Sequence, residues 1–509
     1  MRTTEPSEAF DALVGTFSLD SIVNAVAGLS RARMAEIGDW DQKVLNAGVH
    51  PAALGWFLLR RLVTEAIVRR PLPDTATDVV DARWLMVATE ALMDMGAKAD
   101  SELLDDTQER WARARRMLQA QYHDQLDHRF YLRELCLAME VIDSLRVRNV
   151  DLEAAYLDAL GITFSDFAVL SLAAHATIAG EDSTGLLDRN SWTGASTVRI
   201  DPNRVAAYFA VTVGTYRAVQ DRITNDRTSA VGYEYHVPSP LLRTPLIERG
   251  DGLLAAPLVR DVLERPTRQF LTEAPLLLCA SDRGRFGQAV GEVYERYAKE
   301  ALGAVVGKED VLDGKRVFPK DSKQCDFAVE EGQLLTLCEV KGIRFAPRAD
   351  LLKRLDVLRA ELTSERGVAH GLLQINESAL AIRNRQTDFD RRRILAGLLV
   401  VRGEQVMLND HDIRQILEEY VEDESGRNII VKYQLVNDLA FERVIQAAAA
   451  GMSIGKYIQE KCDDKRRKHV EVFADLRDRY PLGPHPLVGK HDAALDALLN
   501  GYRSLPSWA

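Results

Sequence analysis

Apolar side chains recur every three or four residues through most of the first 235 positions. The pattern is clearest from Ala53 to Ile67, from Trp84 to Met95 and from Trp111 to Leu145, and it predicts helices that bury one face. Gly180 closes one predicted helix, and Asp201-Pro202-Asn203 opens another with a cap residue and an early proline. The N-terminal half is therefore expected to be mostly helical.

The pattern changes after Val237-Pro238-Ser239-Pro240, where Leu246–Leu254 predicts a hairpin with a glycine-flanked turn. Further along, the spacing predicts a helix, extended segments, a second helix and a strand buried on both faces, at Phe286–Leu302, Val317–Glu339, Val368–Arg383 and Ile394–Val401. Beyond Asp410 the chain is predicted to be mainly helical, with one short strand at Ile429–Tyr433.

These elements indicate a multidomain α and α/β protein, as the length of 509 residues also suggests. Residues 1–236 are expected to form a helical accessory or regulatory region. Residues 237–403 are expected to hold the hairpin and then an α/β core, at 283–403, with a mixed central sheet. Residues 404–509 are expected to form a mainly helical C-terminal region.

Composition favours a cytoplasmic protein without a membrane partner. Hydrophobic residues make up 46% of the chain and charged residues 28%, and the acidic N-terminus lacks a secretory signal. The longest apolar stretch, Phe167–Gly180, is interrupted by His175 and is shorter than the roughly 20 residues that span a bilayer. Five scattered cysteines without a CxxC pair are expected to be buried thiols rather than disulfide partners or zinc ligands.

Acidic and basic side chains interrupt the apolar stretch CDFAVEEGQLLTLCEVKG, residues 325–342. It is predicted to form two short strands, and side chains of a strand alternate between faces, so Glu339 and Lys341 share one face. If the hairpin turns on Glu331 and Gly332, Asp326 lies opposite Leu337 and shares that face. The three polar groups are then expected to converge.

Two adjacent buried carboxylates repel each other unless a cation bridges them or one of them is protonated. Oxygen ligands select hard ions, so Asp326 and Glu339 predict a magnesium or manganese site. Lys341 beside them can polarise an attacking water or neutralise a phosphate, which is the chemistry of metal-assisted phosphodiester hydrolysis. The alternative is a hairpin that carries an ordinary surface salt bridge.

Asp326 followed by Glu339-Val340-Lys341 resembles the signature of the restriction-endonuclease-like, or PD-(D/E)XK, nuclease superfamily, with Cys325 in place of the proline. Upstream, Gly291–Tyr297 resembles a G-x-x-F-E-x-Y pattern of that superfamily, which implies a site role for Glu295. Glu292, one turn earlier, is the competing residue, and a solvated helix face is the alternative for both. Downstream, Gln374 is a candidate auxiliary residue or a surface glutamine.

The resemblance covers roughly residues 283–403 and implies a magnesium-dependent (endo)deoxyribonuclease. The long helical region resembles the accessory part of prokaryotic antiphage defence effectors. The expected partners are nucleic acid, DNA favoured over RNA, and a second copy or another protein through the helical regions. An RNase of the same fold and a catalytically silent nucleic-acid-binding scaffold or sensor are the alternatives.

A formal charge of −11 argues against general nucleic-acid affinity, but a local basic surface is sufficient for binding. From Glu339 to Arg393 the chain carries twelve Lys and Arg against eight Asp and Glu. The alternative for each of these residues is a solvated charged face. The predicted groove toward the site consists of Arg344, Arg348, Lys353, Arg354 and Arg391–Arg393.

Overall fold

The computed structural model divides the chain into two compact units. It describes residues 6–35, 56–70, 84–85, 87–89, 91–92, 128–180, 184–190, 192, 200–228, 239–267, 270–319, 324–341, 355–364, 367–402 and 411–503. One unit comprises Met1–Ile142, Asn149–Cys279 and Ala494–Ala509, and the other comprises Asp143–Arg148 and Ala280–Ala493. The sequence-based boundaries near 236 and 403 stay predictions, and the core predicted at 283–403 falls within the second unit.

Helices dominate the first unit, as the apolar spacing predicts. They are α1 (Pro6–Gly15), α2 (Leu19–Ala35), α3 (Trp56–Arg69), α4 (His128–Val147), α5 (Leu152–Leu160), α6 (Phe164–Ala179), α7 (Pro202–Thr212), α8 (Tyr216–Thr228), α9 (Val259–Thr267) and α10 (Phe270–Leu277). Gly180 ends α6, and the Asp201 side chain caps α7 by accepting from the Asn203 N–H, so both predicted helix boundaries are confirmed. The predicted helical stretch at 111–127 lies outside the described residues.

A small sheet also belongs to this unit. Its strands β1 (Leu186–Leu187), β2 (Val213–Thr215), β3 (Leu246–Glu248) and β4 (Leu254–Ala255) lie in the order β1-β4-β3-β2. The β3–β4 pairing confirms the predicted hairpin. β1 and β2 were not predicted, because strands of two or three residues are too short to show an alternation of apolar and polar positions.

The second unit is built around a five-stranded mixed sheet. Its strands are β5 (Val311–Asp313), β6 (Phe327–Glu331), β7 (Leu334–Lys341), β8 (Ile394–Val401) and β9 (Lys432–Asn437), in that spatial order. β5, β6 and β7 are antiparallel neighbours, and β7, β8 and β9 are parallel neighbours. β8 is buried from its second residue onward, so the prediction of an interior strand is confirmed.

Helices connect and cover these strands. They are α11 (Ala280–Val306), α12 (Gly314–Val317), α13 (Leu355–Leu362), α14 (Val368–Arg383), α15 (His411–Ser425), α16 (Asp438–Ala449), α17 (Ile454–Asp463), α18 (Val472–Arg479) and α19 (Val488–Arg503, whose end lies in the first unit). α14 has the predicted bounds. Its buried side chains, such as Leu372 and Ile375, join Leu335, Leu337 and Leu399 of the sheet in one hydrophobic core.

The hairpin turn differs from the predicted one. Phe327 pairs with Cys338 and Glu331 pairs with Leu334, so Gly332 and Gln333 form the turn. Gly332 has a φ of +65°, which suits the first position of a two-residue hairpin turn. Asp326 therefore does not lie opposite Leu337, as predicted, but the shift of two residues preserves the face of every side chain.

Glu331 explains why the turn begins one residue later. Its two carboxylate oxygens accept from the backbone N–H groups of Ile454 and Gly455, at 3.0 and 2.8 Å, at the start of α17. The first N–H groups of a helix lack partners within the helix and carry a partial positive charge. The strand therefore continues through Glu331, because this carboxylate stabilises a helix more than 120 residues away.

Two further predictions were wrong. The last strand is Lys432–Asn437 rather than Ile429–Tyr433, because the Ile430 N–H donates to the side chain of Asn376 instead of to a neighbouring strand. Cys279 is exposed, whereas Cys136, Cys325 and Cys338 are buried as predicted. Among the helices that the structure describes, no single one has both the length and the apolar character needed to cross a membrane.

We predict that Glu331→Ala lowers the free energy of unfolding of the second unit by about 1–2 kcal/mol, because two helix N–H groups lose a charged acceptor. Urea unfolding followed by circular dichroism measures this loss. The matched control is Glu330→Ala, which removes only a partly exposed pair with Arg393 and should cost less than about 1 kcal/mol. Equal losses in the two variants would contradict the capping role.

Candidate active site

The candidate site lies at the carboxyl end of β7. Alternate side chains of this strand face α14: Leu335 and Leu337 belong to the core there, and Glu339 and Lys341 continue the same face. β7 and β8 are parallel, so their carboxyl ends meet at one edge of the sheet. Open α/β sheets commonly bind ligands at such an edge.

Asp326 joins Glu339 one step beyond the last β6–β7 pair. The Asp326 backbone N–H donates to Glu339 Oε2 at 3.1 Å, and the Val340 N–H donates to Asp326 Oδ2 at 2.8 Å. Each acid is therefore held by the backbone of the strand that carries the other. The structure brings the two predicted carboxylates together.

Lys341 and Gln374 complete the contacts around Glu339. The Lys341 ammonium donates to Glu339 Oε1 at 2.6 Å and to Gln374 Oε1 at 2.5 Å. The Gln374 amide nitrogen donates in turn to the Gln324 carbonyl at 2.9 Å. The glutamine predicted as an auxiliary residue thus links the lysine to the segment that leads into Asp326.

Burial makes this group of charges unfavourable without a further cation or a proton. Glu339 is only 2% exposed, and burial, together with the nearby charge of Asp326, raises the pKa of its carboxyl well above the usual range. Burial also raises the pKa of Asp326, against the opposing effects of the Val340 N–H and the Lys341 charge. The pair therefore favours a bound proton or a bound cation.

Of the two acids considered on α11, Glu295 is the one near the site. Burial and the charge of Asp326 raise the pKa of the Glu295 carboxyl. Glu292, one turn earlier, is exposed and accepts from Arg148 and Gln288. Glu295 is thus placed where Asp326 acts on it, and Glu292 is bound to other partners.

Two residues near Asp326 were not identified from the sequence. Lys315 is exposed on α12, and its charge lowers the otherwise raised pKa values of Asp326 and Glu295. Gly314 donates its N–H to the Asp326 carbonyl at 2.8 Å, and a Cβ there would lie 1.9 Å from the Cys325 carbonyl oxygen. The short Asp313-capped turn was the sequence signal, but nothing local indicates that it packs against Asp326.

The predicted basic groove is wrong for Arg391–Arg393. These residues precede Ile394, which pairs with Leu334 at the other end of β7. Five residues separate Leu334 from Glu339, which is roughly 17 Å along a strand. Arg393 is also paired with Glu330 and stacks on Phe389. Arg344, Arg348, Lys353 and Arg354 lie outside the described residues.

The donor atoms fit a hard divalent ion with few protein ligands. No three His, Cys, Asp or Glu side chains come together as a metal-binding group in the part of the chain that the structure describes, whereas Asp326 and Glu339 do form a pair. Magnesium commonly takes one or two carboxylates and completes its shell with water and phosphate oxygens. Asp326 Oδ1 accepts none of the hydrogen bonds described above, so it can still bind a cation.

Comparison with known proteins gives no independent assignment. No family model, no curated protein and no solved structure matches the chain. The resemblance to PD-(D/E)XK nucleases therefore depends on the residues of this site and on the order of the elements that carry them.

We predict that the metal-free protein loses stability as the pH rises from 5 to 8. The raised pKa values of Asp326 and Glu339 mean that the folded state keeps a proton that the unfolded chain releases. Stability is therefore full below the ordinary carboxyl pKa and declines as the pH rises through the folded one, by up to about 1.4 kcal/mol per pH unit for one proton.

Urea unfolding of wild type and Asp326→Asn, both in EDTA, measures this dependence. The variant removes one charge of the pair and keeps its shape, so the wild type should lose stability relative to the variant as the pH rises. Parallel curves for the two proteins would show that the carboxylates do not interact.

Proposed function

We propose that the protein is a magnesium-dependent nuclease that hydrolyses phosphodiester bonds of DNA. One observation carries the proposal: two buried carboxylates, Asp326 and Glu339, and the ammonium of Lys341 converge at the carboxyl end of β7. Burying two like charges beside a lysine costs folding free energy, so a role in binding or chemistry is favoured over a purely structural one.

The order of the elements supports the same proposal. α11 precedes β5, β6 and β7, and α14 and β8 follow them. This is the helix, three strands, helix, strand order that the resemblance to PD-(D/E)XK nucleases implies. The central sheet is mixed, with Asp326 and Glu339 on adjacent strand ends.

Each residue has a role that follows from its contacts. Asp326 and Glu339 would hold the ion, which when bound supplies Lewis acidity toward a phosphate oxygen and an acidified water. Lys341 has a side chain that is 15% exposed, so its ammonium can reach a substrate phosphate and stabilise the negative charge that develops there. Gln374 keeps the ammonium in place, and Glu295 adds negative charge beside Asp326.

Lys315 is the best-placed basic residue for the substrate among the described residues at this edge of the sheet. It is exposed and acts on both Asp326 and Glu295, so it is suited to bind a backbone phosphate without reading sequence. The helical first unit would then serve as the accessory region of an antiphage defence effector. That part of the proposal rests on analogy with such effectors.

The substrate is tested by incubating purified protein with plasmid DNA and with RNA, each with magnesium and then with EDTA. We expect cleavage of DNA that requires magnesium. Cleavage of RNA alone would indicate an RNase of the same fold. Binding of nucleic acid without cleavage of either substrate would indicate a silent scaffold or sensor.

We predict that the ligands and the lysine can be separated by mutation. Asp326→Ala or Glu339→Ala should abolish both magnesium-dependent cleavage and metal binding at the site, because each removes a ligand. Lys341→Ala should keep metal binding and lose about a hundredfold in rate, or about 3 kcal/mol of transition-state stabilisation. Calorimetric metal titration beside single-turnover cleavage measures both quantities.

Glu292→Ala is the matched control, since it removes an acid on the same helix that contacts Arg148 rather than the site. It should leave metal binding and cleavage unchanged. Full activity of Lys341→Ala, or undiminished metal binding by Asp326→Ala, would show that the site is an ordinary buried ion pair.

A further inference from the structure

One face of α14 points at the candidate site along three successive turns. Gly371, Gln374 and Ser378 follow each other at spacings of three and four residues, which places them on the same side of the helix. Each of them contacts either a proposed catalytic side chain or the segment that leads into Asp326. The face therefore supports the site over its whole length.

Gly371 lets the helix backbone come close to the site. A Cβ added there would lie 2.8 Å from Lys341 Cε and 3.2 Å from Glu339 Cγ. Any larger residue at this position would displace the two side chains. The glycine thus fixes the distance between α14 and the end of β7.

Ser378 acts on the other strand of the hairpin. Its Oγ accepts from the Cys325 backbone N–H at 2.9 Å, and both residues are buried. β6 begins only at Phe327, so the helix binds this N–H where the sheet ladder has not yet begun. Gln374 binds the preceding carbonyl, that of Gln324. The two residues before Asp326 are thus attached to α14 and not to a strand.

Asp326 inherits its position from these attachments. Its own N–H and carbonyl are occupied by Glu339 and by the Gly314 N–H, so every backbone group from the Gln324 carbonyl to the Asp326 carbonyl that is described here has a fixed partner. A carboxylate on a short side chain follows its backbone closely. A shift at Cys325 would therefore move Asp326 relative to Glu339.

We propose that Ser378 is a positioning residue of the site: through the Cys325 N–H it sets the position of Asp326 opposite Glu339. The consequence for metal binding rests on the proposed function, whereas the positioning of Asp326 does not. Loss of an outer partner of a metal ligand commonly lowers metal affinity 10- to 100-fold. Because Ser378 acts through the backbone, we expect the lower end, about tenfold.

Asn376 provides a matched control on the same helix. Its Oδ1 also accepts from a backbone N–H at 2.9 Å, that of Ile430, and its side chain is also buried. Asn376 differs from Ser378 in one respect that matters: Ile430 precedes β9 and not a catalytic residue. A purely structural role for both residues predicts the same effects from both replacements.

The first measurement is amide hydrogen exchange of the metal-free proteins. Ser378→Ala should accelerate exchange of the Val340 N–H, which donates to Asp326 Oδ2, whereas Asn376→Ala should accelerate exchange at Ile430 and leave Val340 unchanged. Ser378→Cys keeps the volume with a weaker acceptor and should give an intermediate rate, so the test survives if Ser378→Ala does not fold. Unchanged exchange at Val340 in both Ser378 variants would overturn the positioning role.

The second measurement is calorimetric titration of the same variants with Mn²⁺. Ser378→Ala should bind about tenfold more weakly than wild type and Asn376→Ala within about twofold of it. Wild-type affinity in Ser378→Ala would overturn the inference and leave the nuclease proposal standing. Absence of Mn²⁺ binding in wild type, with the predicted exchange at Val340, would overturn the nuclease proposal and leave the positioning role standing.

Discussion

Two buried carboxylates placed side by side are the constraint on which the site depends. Asp326 and Glu339 each give up most of their hydration, and each raises the free energy of the other when both are ionised. The surrounding structure offsets this cost only in part, with two backbone N–H donors and the ammonium of Lys341. The remaining imbalance is what a divalent cation or a proton would remove.

The fold supports this pair from three directions. The β6–β7 hairpin brings the acids to the same face, the parallel β7–β8 pairing places them at an open edge of the sheet, and α14 holds the lysine and the segment before Asp326. At the far end of the same hairpin, Glu331 attaches the strands to the start of α17. Both ends of the hairpin are thus bound to helices, which restricts sliding of one strand past the other.

Much of this arrangement could be predicted from the sequence, because alternation along a strand depends only on neighbouring residues. The bounds of α14 and β8 and the shared face of Asp326, Glu339 and Lys341 followed from that alternation and from helical spacing. The shared face was predicted correctly although the pairing was two residues out of register, since an even shift preserves faces.

Long-range contacts could not be predicted in this way. The turn position depends on a helix that begins at Ile454, and the start of β9 depends on the side chain of Asn376. Ser378 and Gly314 carry no local signal, because a serine or a glycine is ordinary until its neighbour in space is known. The basic groove failed for the same reason: composition places Arg391–Arg393 near Glu339 in the sequence, whereas the strand direction separates them.

The most direct test of the central claim is anomalous diffraction from crystals soaked in Mn²⁺. We expect one ion within about 2.5 Å of a carboxylate oxygen of Asp326 and of Glu339, with waters in the remaining positions. Crystals that show no ion between these carboxylates at millimolar Mn²⁺, with Lys341 still bound to Glu339, would contradict the metal-dependent site.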